Sequence, residues 1–113
     1  MSMQLKEICD LQAEFDKQVS ISGRSFFVDI NENNLSELEH LTVCMMGELG
    51  EFCNILKKVT RGDNELDDVK PDLSEEFVDT FIYMIKISNQ FGIDLEKGFL
   101  EKLEKNKHRF KGL

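Results

Sequence analysis

Two pairs of carboxylates in the chain have the spacing that places side chains on one face of a helix. Glu48 and Glu51 are three residues apart, and so are Glu76 and Asp79. Side chains at i and i+3 are neighbours on a helix surface, so each pair projects in roughly one direction. Two such helices packed side by side would bring four carboxylates together. Without basic partners these groups repel one another, and a cation between them removes the repulsion.

An all-oxygen cluster suits hard divalent cations, Mg²⁺ above all, with Mn²⁺ as a second possibility. The sequence therefore predicts a magnesium site for a phosphate-bearing substrate. One pair alone is weak evidence, because 22 of the 113 residues are acidic and another such pair, Glu101 and Glu104, is typical of a solvated surface. The combined set is stronger, because Glu48 borders an apolar stripe while Ile82 and Ile87 flank the second pair.

The elements that must position these acids are helices, since the apolar residues recur at three- and four-residue steps. We expect an all-α fold with one domain over residues 1–113. The predicted helices cover about 3–19, about 34–60, about 71–91 and a last segment after Asp94. Gly62 and Gly92 are expected to end the second and third helices, and Pro71 to begin the third.

The third predicted helix is apolar nearly all round, which is typical of a helix buried on all sides. In so small a domain, this pattern favours packing against a second subunit as well as the rest of the chain. Residues 20–33 are predicted to form an ordered loop. Its aromatic pair, Phe26 and Phe27, either packs on the helices or holds a planar ligand.

Composition narrows the choice of partners. The net charge of −8 argues against a non-specific nucleic-acid binder or a protein of anionic membrane surfaces. Three cysteines without a CxxC pair favour a reduced, intracellular setting. Charged residues interrupt the N-terminal segment, and no stretch reaches the length of a membrane span. We therefore expect a cytoplasmic protein that binds neither nucleic acid nor membrane.

Two other kinds of metal site fit the sequence less well. Ferritin-like di-iron bundles need a Glu-x-x-His on each of two helices. Glu37 and His40 supply one, whereas His108 has Lys105 where the acid is needed. Cys44 and Cys53 are nine residues apart, too far for one metal, and are expected to be small packing residues.

A basic row follows on the last predicted helix. Lys102, Asn106 and Arg109 lie at i, i+4 and i+7 and so share one face. They would reach phosphate oxygens held by the metal, or they form a solvated helix end where cations are favoured.

Together these motifs resemble the all-α nucleoside triphosphate pyrophosphohydrolases, the family of MazG-like and dimeric dUTPase proteins. The family pattern is EExxE on one helix, ExxD on the next, and often K-x3-N-x2-R after them. The resemblance covers about residues 35–109, with 75–83 and 92–95 particularly similar. One position departs from it: Gly47 stands where the first acid of EExxE is expected. That change could reduce the number of metals or alter the group that activates water.

The resemblance implies a MazG fold like a four-helix bundle, with two long central helices carrying the acidic motifs. It implies hydrolysis of (d)NTP to (d)NMP and pyrophosphate, as in nucleotide-pool house-cleaning, by a homodimer or homotetramer. Mg²⁺ would be held by four residues, of which Glu48 and Glu51 are the candidate catalytic groups and Glu51 the group that orients water. The expected metal ligands are Glu48, Glu51, Glu76 and Asp79, and the expected phosphate ligands are Lys102, Asn106 and Arg109. Base recognition would fall to the first helix and the loop after it, with Phe15 and Arg24 as the candidates.

The rival hypothesis is a helical module that binds nucleotide or protein without turnover, and Gly47 is the feature that favours it.

Overall fold

Residues 2–111 contain four helices, as the periodicity predicted. A computed structural model describes residues 2–111. The helices are α1 (Leu5–Gln18), α2 (Leu35–Thr60), α3 (Leu66–Phe91) and α4 (Leu95–Lys111). The prediction of an all-α fold with two long central helices bearing the acidic motifs is confirmed, since α2 and α3 have 26 residues each. Within residues 2–111, no helix has the length and apolar character needed to cross a bilayer.

A small hairpin that was not predicted lies in the loop after α1. Its strands, β1 (Ser20–Ile21) and β2 (Arg24–Ser25), are antiparallel. Ser22 and Gly23 join them with φ angles of 55° and 78°. Positive φ at both central residues is the geometry of the two-residue turn that matches strand twist. Two-residue strands show too little alternation to be recognised in the sequence.

The sequence predicts the end of α2 correctly but not the start of α3. Gly62 ends α2 with a φ of 91°, as expected. However, α3 begins at Leu66 and carries Pro71 inside it, so the predicted start at Pro71 was wrong. Asp67 and Asp68 favour the earlier start, because carboxylates in a first turn complement the helix dipole.

The hairpin of α2 and α3 is the centre of the fold, and α1 packs on α3. Few apolar side chains of the described residues are fully buried. The buried apolar side chains are Ile30, Leu41, Leu73 and Ile85. In the single chain α1 and α2 cover only part of α3, so its predicted burial on all sides depends on a second subunit and stays a prediction. Phe77 and Val78 are 60% and 51% exposed.

The last helix lies beside the first. Asp94 caps it by accepting a hydrogen bond from the Lys97 amide at 3.0 Å. The Lys6 amide of α1 donates to Glu96 Oε2 at 2.8 Å. No residue of α4 is buried, and its apolar side chains, such as Phe99, remain largely exposed.

Candidate metal centre

Carboxylates from the two central helices meet at one point of the fold. Glu48 of α2 and the pair Glu76 and Asp79 of α3 each place one oxygen within 4.8 Å of the others. All three side chains are half-buried. No histidine or cysteine belongs to this cluster, and within residues 2–111 none of its members forms a salt bridge. We call these three residues the acidic cluster.

The electrostatics of the acidic cluster are unfavourable without a counter-charge. Glu76 Oε2 is removed from solvent and has no hydrogen-bond partner among the described residues. The adjoining Glu48 carboxyl, burial, and the charges of Glu48, Asp79 and Glu51 raise the pKa of Glu76 to about 7. The closeness of these carboxylates favours a proton on one of them. A divalent cation could replace that proton and satisfy the orphaned oxygen, so the residues fit an all-oxygen metal site.

Glu51, the fourth predicted ligand, stands outside the acidic cluster. It is exposed on α2, about 60° further round the helix than Glu48. Its charge nonetheless contributes to the raised pKa of Glu76, so it lies within electrostatic reach. Its roles as a ligand and as the group that orients water stay predictions.

Gly47, the departure from the expected motif, is exposed on α2. A Cβ atom built at this position meets no heavy atom within 4 Å. Packing therefore does not require glycine here, and a larger side chain has room.

A cavity of about 480 Å³ opens beside the acidic cluster. Its volume falls in the range of small-molecule sites. Glu48 and Asp79 form one part of its lining. The remaining lining residues are Gln12, Phe15, Phe26, Ile82, Tyr83 and Lys86. Phe15, predicted to contact a base, therefore lines the same cavity as two members of the acidic cluster. We call this space the cluster cavity.

A second cavity, of about 250 Å³, shares Phe26, Tyr83 and Lys86 with the first. Arg24, the other predicted base contact, lines this second cavity and pairs with Glu37 at 2.6 Å. The structure thus separates the two predicted base contacts.

Gln90 holds in place the loop segment that carries Phe26, which lines both cavities. Its amide group donates from Nε2 to the Phe26 carbonyl at 2.9 Å and accepts at Oε1 from the Val28 amide at 3.1 Å. The Ile30 amide donates to the Gln90 carbonyl at 2.8 Å. Gln90 is itself buried, so these bonds attach the loop firmly to α3.

An ion pair that the sequence did not predict lies beside Phe26, and its lysine lines both cavities. Lys86 Nζ donates to Asp16 Oδ1 at 2.9 Å, and Gln12 Nε2 donates to the same oxygen at 3.0 Å. Asp16 is fully buried, and the Lys86 side chain is 11% exposed. The Lys86 ammonium also lies 4.8 Å from the centre of the Phe26 ring. The sequence contains a signal for Lys86. Glu76, Asp79 and Tyr83 form a row of polar residues along one side of α3, and Lys86 continues this row by one more turn.

Tyr83 stands between the acids and this ion pair. Burial, the neighbouring Cys44, and the charges of Glu48 and Asp79 raise its pKa above the ordinary value. The phenol therefore keeps its proton at neutral pH and can donate a hydrogen bond into either cavity.

The predicted phosphate ligands of α4 do not line the cluster cavity. Lys102 and Arg109 are exposed and Asn106 is half-buried. Arg109 lies 4.9 Å from the centre of the Phe110 ring. Within one chain, the structure brings together the acids of α2 and α3 but does not add the basic row of α4 to them.

Comparison of the chain with protein-family models, with characterised proteins and with solved structures finds no match.

Proposed function

We propose that the protein is a Mg²⁺-dependent nucleoside triphosphate pyrophosphohydrolase, with Mn²⁺ as a possible substitute. It would cleave (d)NTP to (d)NMP and pyrophosphate, in keeping with the resemblance of its motifs to the MazG-like and dimeric dUTPase proteins. The observation that carries the proposal is the acidic cluster, which has an unpartnered buried oxygen and opens onto a ligand-sized cavity. House-cleaning of the nucleotide pool is the cellular role that we propose.

Each group of residues in the site has its own proposed role. Glu48, Glu76 and Asp79 would hold Mg²⁺, with Glu51 as a further ligand. Bound Mg²⁺ would neutralise the triphosphate and stabilise the charge that develops on the departing pyrophosphate. Glu51, exposed and one turn from the cluster, would orient the attacking water and accept its proton. The aromatic rings that line the cluster cavity would cover the nucleoside.

We further propose a homodimer or homotetramer. Many large apolar side chains of α3 and α4 are exposed in the single chain, and exposed apolar surface often marks a protein–protein contact. These side chains are Phe77, Val78, Phe81, Met84, Phe99, Leu100, Leu103 and Phe110. In such an assembly, the basic row of Lys102, Asn106 and Arg109 would reach the phosphates from a neighbouring subunit. Analytical ultracentrifugation of the wild type and of Phe77→Glu tests this: the variant should sediment as a smaller species. An unchanged monomer in both samples would refute the assembly.

A pyrophosphate-release screen tests the activity. The purified protein is incubated with common and damaged nucleoside triphosphates, with and without Mg²⁺ or Mn²⁺. Wild-type protein should release pyrophosphate only with metal, and Glu76→Gln or Asp79→Asn should lower kcat by at least roughly 100-fold, about 2.7 kcal/mol. Glu75→Gln is the matched control, because Glu75 is the exposed neighbour of Glu76 on the same helix. It should retain full activity.

The second candidate function is a module that binds nucleotide or protein without turnover. Gly47 favours it, because one acid of the expected motif is absent. Such a module would release no pyrophosphate from any nucleotide with either metal. Calorimetry separates its two forms, since a protein-binding module has no metal-dependent affinity for nucleotide.

A further inference from the structure

The cluster cavity carries a polar group that neither metal binding nor hydrolysis uses. We infer that Lys86, held in place by Asp16, selects substrates by donating a hydrogen bond to the carbonyl oxygen at position 4 of a pyrimidine or position 6 of a purine. This inference rests on the proposed function, because it concerns the base of the same nucleotide whose phosphates the acidic cluster would bind. It predicts a preference for 4-oxo pyrimidines and 6-oxo purines over their amino counterparts.

Lys86 has hydrogen-bonding capacity that a ligand could use. An ammonium group has three donors. Among residues 2–111, one of them is used, in the bond to Asp16 Oδ1. Lys86 lines both cavities, so its side chain borders the space a ligand would enter. Burial makes an unused donor costly, and a ligand acceptor would satisfy it.

The charge of Lys86 is compensated within the protein. Lys86 is paired with a carboxylate that is itself fully buried, so the pair carries no net charge. Such a pair is poorly suited to attract a phosphate but can still donate a charge-assisted hydrogen bond. A neutral acceptor is therefore the ligand atom that fits, and carbonyl oxygens are the strong neutral acceptors of nucleobases.

The position of Lys86 along α3 relates it to the acidic cluster. Lys86 follows Asp79 by seven residues, which is two turns and roughly 10 Å along the same helix face. Phosphates at the acidic cluster would thus place the sugar and base towards Lys86. Phe15 and Phe26 line the same cavity, and aromatic rings are the usual stacking partners of bases.

The group that Lys86 would discriminate is the one at pyrimidine position 4 or purine position 6. Uracil and hypoxanthine present an oxygen acceptor where cytosine and adenine present an amino donor. A Lys ammonium has no acceptor, so an amino group facing it leaves donors on both sides unsatisfied. Losing a hydrogen bond to a charged group should reduce kcat/KM roughly 10- to 100-fold.

The test uses two matched substrate pairs, dUTP against dCTP and ITP against ATP, with Mg²⁺. Wild-type protein should prefer the oxo member of each pair roughly 10- to 100-fold in kcat/KM. The variant Asp16→Asn with Lys86→Met removes both charges together, so that no single charge is left buried. It should bring both ratios close to one. Asp16→Asn with Lys86→Gln, which restores a donor and adds an acceptor, should raise activity on the amino members.

Lys17→Met is the matched control. Lys17 also lies over a ring of the same loop, 4.7 Å from the centre of Phe27, but it is exposed and lines neither cavity. This variant should keep both wild-type ratios. If the double variants release pyrophosphate with unchanged ratios, the inference is refuted while the proposed function stands.

A binding measurement keeps the inference testable if no substrate is turned over. Calorimetry with the α,β-imido analogues of dUTP and dCTP, in Mg²⁺, measures base preference without hydrolysis. Tighter binding of the dUTP analogue that disappears in Asp16→Asn with Lys86→Met would support the role of Lys86 even in an inactive protein. Equal affinity for both analogues in the wild type, or no binding of either, would overturn it.

Discussion

Replacing Lys86 by Met should destabilise the protein severely, because the substitution strands a buried charge. Asp16 has no solvent-exposed surface, and one of its oxygens already lacks a hydrogen-bond partner among the described residues. In Lys86→Met, the carboxylate would keep only the bond from Gln12 at 3.0 Å. Removing one partner of a buried pair costs about 3–5 kcal/mol. For a chain of this length, that loss lowers Tm by roughly 12–20 °C.

Urea denaturation followed by circular dichroism measures this loss, and a double-mutant cycle assigns it to the pair. Asp16→Asn keeps the shape and the acceptor for Gln12 while removing the charge. Combining it with Lys86→Met should recover most of the stability, because a buried pair replaced as a unit by neutral groups is often close to neutral. The reasoning is refuted if Lys86→Met costs less than about 1 kcal/mol, or if the two losses simply add.

Three further predictions concern the site and its supports. Because the pKa of Glu76 is raised from 4.5 to about 7, the folded metal-free protein binds more protons than the unfolded chain between these values. The stability of the metal-free protein should therefore fall as pH rises towards and through 7, while its affinity for Mg²⁺ rises over the same range. Thermal melts at several pH values, with and without Mg²⁺, should show both trends, and both should be weaker in Glu76→Gln. Gly47→Glu fits the open space at that position and should strengthen Mg²⁺ binding several-fold by calorimetry, with Gly47→Gln as the neutral control and equal affinities as the contradicting result. Gln90→Met removes both side-chain bonds to the 26–28 backbone, so amide exchange at Val28 should accelerate at least about tenfold, and unchanged protection there would count against the anchoring role.

The sequence predicted those parts of the fold that depend on local pattern. Helical periodicity located α2 and α3, and Gly62 marked the end of α2, because a left-handed residue is a local requirement. The predicted start of α3 at Pro71 is wrong because Asp67 and Asp68 favour a helix start before the proline. The same spacing rule also identified Glu48, Glu76 and Asp79, which the structure brings together across two helices.

The rest depends on contacts distant in sequence. Asp16 and Lys86 are 70 residues apart, and nothing local in either segment indicates their pairing. The place of α4 against α1 is likewise a tertiary result, and the helical pattern of α4 was equally compatible with a closed bundle. Gln90 anchors the loop from 64 residues away through a backbone carbonyl, a partner that no side-chain pattern reveals.

The most direct test of the central claim is calorimetric titration of Mg²⁺ near pH 7, alone and with a non-hydrolysable nucleotide. We expect saturable binding accompanied by proton release, since the cation would displace the proton of Glu76. Glu76→Gln combined with Asp79→Asn should abolish this binding, and Glu75→Gln should leave it intact. Equal Mg²⁺ affinity in the wild type and the double variant, in the presence of nucleotide, would contradict the assignment of the acidic cluster as a metal site.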